Sequence, residues 1–122
     1  MKESKLYQQF KQKIKKADPD CFWYKIPDTY NLGGKKPFDG ILLTRGVAFA
    51  IEFKSKGQKV TPYQKAMLRA FDTYAGGISF VFTEGVKTMD EFIKFIIQVR
   101  DFRRHLAQRN SSGDMENPFP YE

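Results

Sequence analysis

The segment Val47–Lys54 constrains the fold most, because its first five residues are apolar and its last three alternate charged, aromatic and charged. A short apolar run of this kind is typical of a strand that is buried on both faces of a sheet. Arg45-Gly46 precedes the run and predicts a tight hairpin turn from an earlier strand over residues 38–44. The chain therefore requires a sheet in which a central strand ends in charged residues.

Three amphipathic segments surround these strands and predict helices. Residues 3–17 repeat apolar side chains at three- and four-residue steps. Thr61-Pro62 supplies the N-cap and first-turn proline of a second helix that ends near Gly76-Gly77, and Thr88 or Asp90 caps a third that runs to about residue 108. The apolar stripe of the third helix is predicted to contain Phe92, Phe95, Ile96, Val99 and Phe102.

Two further strands are predicted over residues 21–26 and 78–82. The resulting order is helix, three strands, helix, strand, helix. This order predicts an α/β fold with a mixed central sheet flanked by helices, in which the hairpin leads into a right-handed β-α-β crossover. One domain over residues 1–109 and a polar tail over residues 110–122 account for the whole chain.

The amino-acid composition indicates which binding partners and which cellular compartment to expect. The net charge of +7 favours polyanions, with nucleic acid first and an anionic membrane surface second. No apolar stretch reaches the length of a signal peptide core or a bilayer span, so we expect a cytoplasmic protein without a membrane partner. The single cysteine, Cys21, cannot form an intrachain disulfide and fits a reducing compartment, where a buried structural role is expected.

The charged residues at the strand ends form a constellation with chemical meaning. If the strands pair about Arg45-Gly46, Asp39 lies beside Glu52, and Lys54 projects from the same face as Glu52 because side chains alternate along a strand. Two adjacent carboxylates repel each other, and a divalent cation resolves the conflict. We expect Asp39 and Glu52 to hold Mg²⁺, with the Phe53 carbonyl as a third ligand. Lys54 would orient the attacking water or neutralise developing charge.

The arrangement Pro-x-Asp, hairpin, Glu-x-Lys resembles that of the PD-(D/E)XK nucleases, over a stretch from Glu3 to about Thr83. It looks closest to the branch that contains Holliday-junction resolvases and VRR-NUC domains. The resemblance implies a restriction-endonuclease-like αβββαβ core followed by a C-terminal helix. It also implies that Glu3, on the first helix, is a further metal ligand, and that Gln64 faces the site from the segment Lys59–Gln64.

One departure from the family pattern concerns the first aspartate. Phe38 separates Pro37 from Asp39, whereas many family members have proline and aspartate adjacent. Asp28 does follow a proline directly, but it lies farther from Glu52 and no hydrophobic strand follows it. Asp39 is therefore the preferred site residue, with Asp28 as the alternative.

Basic and aromatic residues border the predicted site. Solubilising charge is one interpretation of the nearby lysines, but their position on both sides of the site favours contacts with phosphates: Lys35, Lys36, Lys56, Lys59 and Lys65. Trp23, Tyr30 and Tyr63 are candidates for stacking on unpaired bases, but packing in the core or at its rim is favoured for all three.

The resemblance implies an endodeoxyribonuclease that uses Mg²⁺, or Mn²⁺ in its place, on branched or otherwise structured DNA such as a Holliday junction or a flap. A domain of this size has little room for base readout in the major groove, so recognition of shape by a homodimer is expected. The alternatives are a noncatalytic nucleic-acid-binding module that keeps the nuclease fold, and a basic protein-interaction domain.

Overall fold

The computed structural model describes residues 2–28 and 35–110, with side chains through residue 107. The elements follow the predicted order: α1 (Glu3–Ala17), β1 (Phe22–Lys25), β2 (Gly40–Thr44), β3 (Val47–Lys54), α2 (Pro62–Tyr74), β4 (Ile78–Thr83) and α3 (Met89–Asn110). β1 and β2 are shorter than predicted, and β4 and α3 extend slightly further. Of the predicted tail, residues 111–122 lie outside the described part of the chain.

The four strands form one mixed sheet in the order β1-β2-β3-β4. β1, β2 and β3 are antiparallel neighbours, whereas β3 and β4 are parallel and are connected through α2. Arg45 and Gly46 form the β2–β3 turn with positive φ angles of 49° and 82°. Two consecutive positive φ angles define the type I′ turn that suits the twist of a two-residue hairpin. The prediction of an α/β fold with a mixed sheet is confirmed.

α1 and α3 pack on one face of the sheet over an aromatic core. Phe10 of α1 contacts the rings of Trp23 and Phe53, at centroid distances of 4.8 and 5.3 Å. Phe92 of α3 lies 5.1 Å from the ring of Phe82. Gly40 allows the indole of Trp23 to cross β2, because a Cβ at this position would lie 2.5 Å from a ring carbon. These contacts bury the side of β3 that carries Phe49, Ile51 and Phe53.

α2 packs on the opposite face over a smaller apolar cluster. Phe38, Ala50 and Leu68 are buried there, and the ring of Phe71 packs edge-to-face against that of Phe38. Because β3 is covered on both sides, its residues from Phe49 to Lys54 are all buried. This confirms the strand interpretation of the apolar run and carries two charged side chains into the interior.

The predicted stripe of α3 is partly wrong. Phe92 and Ile96 are buried, but Phe95 and Phe102 are 49% and 62% exposed. The buried face instead includes Ile93 and Arg100. Arg100 lies on this buried face because it pairs with Asp18 inside the protein, although apolar periodicity assigns an arginine to the surface.

A polar cluster closes the hairpin end of the sheet. Arg100 donates to the Asp18 carboxylate over 2.8 Å, and the Thr44 hydroxyl donates to the same carboxylate. Burial alone would raise the pKa of Asp18, but the Thr44 hydrogen bond and the Arg100 charge lower it below its usual value. The nearby Cys21 is buried, and burial together with the Asp18 charge raises the pKa of its thiol. Cys21 is therefore held as a protonated structural residue.

Among the helices of the described residues, none is both long and apolar enough to cross a membrane.

Candidate functional site

Asp39 and Glu52 face each other at the open end of the β2–β3 hairpin. Gly40 pairs with Ile51 in the ladder, and the Asp39 amide donates to the Ile51 carbonyl over 3.1 Å. Asp39 is the first residue outside this ladder, and its carboxylate lies close enough to Glu52 to raise the pKa of Glu52. The hairpin thus brings together two carboxylates that lie far apart in sequence.

The Asp39 carboxylate is held on both oxygens. Oδ2 accepts from the Phe53 amide over 2.7 Å, and Oδ1 pairs with Lys36 Nζ at 2.9 Å. Because N–H and C=O of a strand residue project to the same side, the Phe53 carbonyl lies on the Asp39 side of β3. The backbone of a core residue therefore orients the first carboxylate.

Lys36 links Asp39 to Asp28, which lies 3.3 Å from Nζ. Burial would lower the pKa of Lys36, but hydrogen bonds and charge from Asp39 and then Asp28 outweigh it and raise the pKa. Asp28 is thus an outer partner of Lys36 and has no place opposite Glu52. Lys36 was predicted only as a phosphate contact, and its three-residue spacing from Asp39 was the available signal for this ion pair.

Glu52 is the most constrained group of the site. Its Oε2 accepts from Gln64 Nε2 over 2.7 Å and lies 3.3 Å from Lys54 Nζ. Its Oε1 is buried and has no donor among the described residues. Burial and then the adjacent Asp39 raise the pKa of Glu52 to about 8, although the Lys54 charge opposes this. An unsatisfied acceptor beside a second carboxylate is costly unless a proton or a cation occupies the gap.

Gln64 is fixed by the cap of α2. The Thr61 amide donates to Gln64 Oε1, and the Gln64 amide donates to Thr61 Oγ1, each over 3.1 Å. This reciprocal capping box commits the Gln64 carbonyl oxygen to the helix end and leaves its NH₂ group for Glu52. The sequence predicted Thr61 as a cap and Gln64 as a site residue, but not that one motif connects the two roles.

The remaining predicted residues lie outside this cluster. Glu3 is exposed in the first turn of α1, and the described residues contain no group of three or more His, Cys, Asp or Glu side chains that could hold a metal ion. Glu3 is therefore not assembled with Asp39 and Glu52. Four of the five predicted phosphate-binding lysines are exposed: Lys35, Lys56, Lys59 and Lys65.

The three aromatic candidates for stacking differ in their surroundings. Trp23 packs into the core, as favoured from the sequence. Tyr63 lies under the Lys35 ammonium, which is 5.6 Å from its ring centroid. Tyr30 lies outside the described residues.

Comparison with known proteins gives no match: no family model fits the chain, and no curated protein or solved structure is similar to it at a significant level. The geometry of the site is therefore the basis for a functional assignment.

Proposed function

We propose that this protein is a metal-dependent nuclease of the PD-(D/E)XK type, built on a restriction-endonuclease-like core. The observation that carries the proposal is the buried, unsatisfied Oε1 of Glu52 beside the Asp39 carboxylate. A protein does not usually bury a carboxylate beside a second, half-buried one without a ligand that compensates them. Lys54 and Gln64 occupy the other oxygen of Glu52, so the free oxygen and Asp39 define one direction for that ligand.

The donor set fits a hard divalent cation. Mg²⁺ is commonly held by one or two carboxylates and retains several waters, so two acids suffice without Glu3. Asp39 and Glu52 would hold the ion, and the Phe53 carbonyl would add a neutral oxygen. When bound, Mg²⁺ or Mn²⁺ would supply Lewis acidity toward a phosphodiester and a nucleophile at neutral pH.

The other residues of the cluster supply position and charge. Lys54 is nearly buried beside Glu52, where its fixed ammonium would stabilise negative charge developing on a phosphate oxygen. Gln64 holds the Glu52 carboxylate in one orientation through a hydrogen bond that the capping box pre-arranges. The exposed Lys56, Lys59 and Lys65 would contact the phosphates that flank the cleaved bond.

A cleavage assay tests the proposal. Wild type, Asp39→Asn and Glu52→Gln would be incubated with junction, flap, single-stranded and duplex DNA in Mg²⁺, Mn²⁺ or EDTA. We expect cleavage by wild type only when metal is present, and none by either variant. Asp28→Asn is the matched control, since Asp28 contacts Lys36 without facing Glu52 and its loss should leave most of the activity. Persistent cleavage by both site variants would disprove the assignment.

One observation favours the noncatalytic alternative. The Lys36 ammonium already pairs with Asp39, so a cation of the protein itself compensates this carboxylate without any metal. A nucleic-acid-binding module of this kind would bind DNA with a steep salt dependence and cleave none of the substrates in any metal. The proposal includes a preference for branched DNA, which the substrate panel tests. It also includes assembly as a homodimer, which a sedimentation measurement tests.

A further inference from the structure

Two exposed aromatic side chains lie on the same face of the sheet as the proposed site. On β1, Trp23 points into the core under α1, so its neighbours Phe22 and Tyr24 project from the other face. On β3, Phe53 points into that same core, so Glu52 and Lys54 project with Phe22 and Tyr24. Phe22 is 58% exposed and Tyr24 is 50% exposed.

Strand pairing shows that the two rings lie at regular intervals from the site. Ile26 donates to the Asp39 carbonyl and so lies in the row of Asp39 and Glu52. Tyr24 pairs with Ile41 in the next row of this face, and Phe22 pairs with Leu43 in the row after that. Rows on one face are spaced by two residues, or about 7 Å along the strand. This interval is close to the step between consecutive nucleotides of an extended, unpaired strand.

Basic residues lie at both ends of this path, and those at the site end are paired with its carboxylates. Lys36 and Lys54 lie at the site end, and Arg45 is exposed at the hairpin end. Between them the face carries the uncharged Tyr24, Ile41, Phe22 and Leu43, the last of which is 45% exposed. A second copy of the chain seated here would also cover the approach to Asp39 and Glu52, so a protein partner fits this surface less well than the nucleic acid does.

We propose that Phe22 and Tyr24 form a stacking platform for unpaired DNA bases, so that the nuclease acts on a bond flanked by a single-stranded segment. This inference rests on the proposed function and names its substrate class. Aromatic rings on a sheet stack on any base that is not already stacked in a duplex. Tyr24 would receive the base nearest the cleaved bond and Phe22 the next one.

A binding experiment in EDTA, in which no metal-dependent cleavage occurs, tests the platform. Fluorescence anisotropy would give the affinity of the purified chain for a single-stranded oligonucleotide and for the same sequence as a duplex. A 2-aminopurine in the single strand would report stacking directly. The variants are Phe22→Ala and Tyr24→Ala, with Phe22→Tyr and Tyr24→Phe as variants that keep a ring. The matched control is Phe102→Ala, which removes an equally exposed ring from α3.

We expect each strand alanine to weaken single-strand binding about tenfold. The slope of log affinity against log salt should stay unchanged, because stacking releases no counterions. The ring-keeping variants and Phe102→Ala should bind within about twofold of wild type, and circular dichroism would verify that all variants fold. Unchanged affinity in both alanine variants, or an equal loss toward duplex, would overturn the platform. A change in sedimentation mass without a change in 2-aminopurine signal would assign the surface to a second copy and also overturn it.

The nuclease proposal and the platform proposal can be refuted independently of each other. Ring-dependent binding of single strands without cleavage in any metal supports the platform and refutes the nuclease. Cleavage by wild type that neither Phe22→Ala nor Tyr24→Ala alters leaves the nuclease standing and refutes the platform.

Discussion

Replacing Glu52 with glutamine should make the metal-free protein more stable at neutral and alkaline pH. The amide has nearly the same shape as the carboxylate and can still accept from Gln64 through its oxygen. Its NH₂ group can donate toward Asp39, where the wild-type oxygen has no donor. The substitution therefore removes a buried charge and satisfies the unpaired position at the same time.

The magnitude follows from the pKa of Glu52, which rises from 4.5 to about 8 on folding. Between these two values the folded protein holds a proton that the unfolded chain has released, so this group makes the free energy of unfolding fall as the pH rises. Each pKa unit corresponds to about 1.4 kcal/mol, which gives an upper limit of about 4 kcal/mol lost by pH 7.5 relative to pH 4.5. Glu52→Gln should keep this free energy, because the glutamine amide does not titrate.

Urea denaturation in EDTA at a series of pH values from 4.5 to 9 would measure the difference. The free energy of unfolding of Glu52→Gln minus that of wild type should increase with pH up to about 8 and then level off. Glu91→Gln is the matched control, since Glu91 is exposed and hydrogen bonds from Thr88 lower its pKa. Removing this carboxylate should lower the free energy of unfolding, whereas removing that of Glu52 should raise it. Parallel curves for wild type and Glu52→Gln would refute the reasoning. Under the proposed function, added Mg²⁺ should stabilise wild type at pH 8 and leave Glu52→Gln unchanged.

Three further substitutions have defined outcomes. Arg100→Ala leaves Asp18 buried without its cation and should cost about 3–5 kcal/mol in urea denaturation; a loss below 1 kcal/mol would contradict a buried ion pair. Gly40→Ala places a methyl group against Trp23 and should lower the free energy of unfolding by about 1–3 kcal/mol, visible as a lower melting temperature. Gln64→Ala should reduce the cleavage rate in Mg²⁺ about 10- to 100-fold, since it releases a residue that orients a metal-binding carboxylate; full activity would contradict that role.

The architecture was largely predictable because local signals and tertiary packing agree along β3. Its apolar run, the following charges and the preceding Arg45-Gly46 all specify a central strand after a hairpin. The same hairpin indicated that Asp39 lies near Glu52, since the position of the turn determines which strand ends meet. The capping signal at Thr61 likewise located the start of α2.

What escaped prediction depends on long-range contacts. The burial of Arg100 on α3 depends on its contact with Asp18, which lies 82 positions away in the sequence. Similarly, the alternation of side chains along β1 places Trp23 on one face of the sheet and Phe22 and Tyr24 on the other. It does not indicate which of the two faces is covered by a helix. The unsatisfied oxygen of Glu52 is a property of burial and of every neighbour at once, so no motif reports it.

The alternation of side chains along β3 limits how this chain can change in length. A residue inserted between Val47 and Glu52 would either turn Glu52 and Lys54 into the space filled by Phe53 or force a bulge that separates Glu52 from Asp39. An insertion at the Arg45-Gly46 turn would only enlarge a surface loop and leave the pairing intact. Diverging copies of this sequence should therefore gain and lose residues at the turn and keep the distance from Val47 to Lys54 constant for as long as the site is under selection.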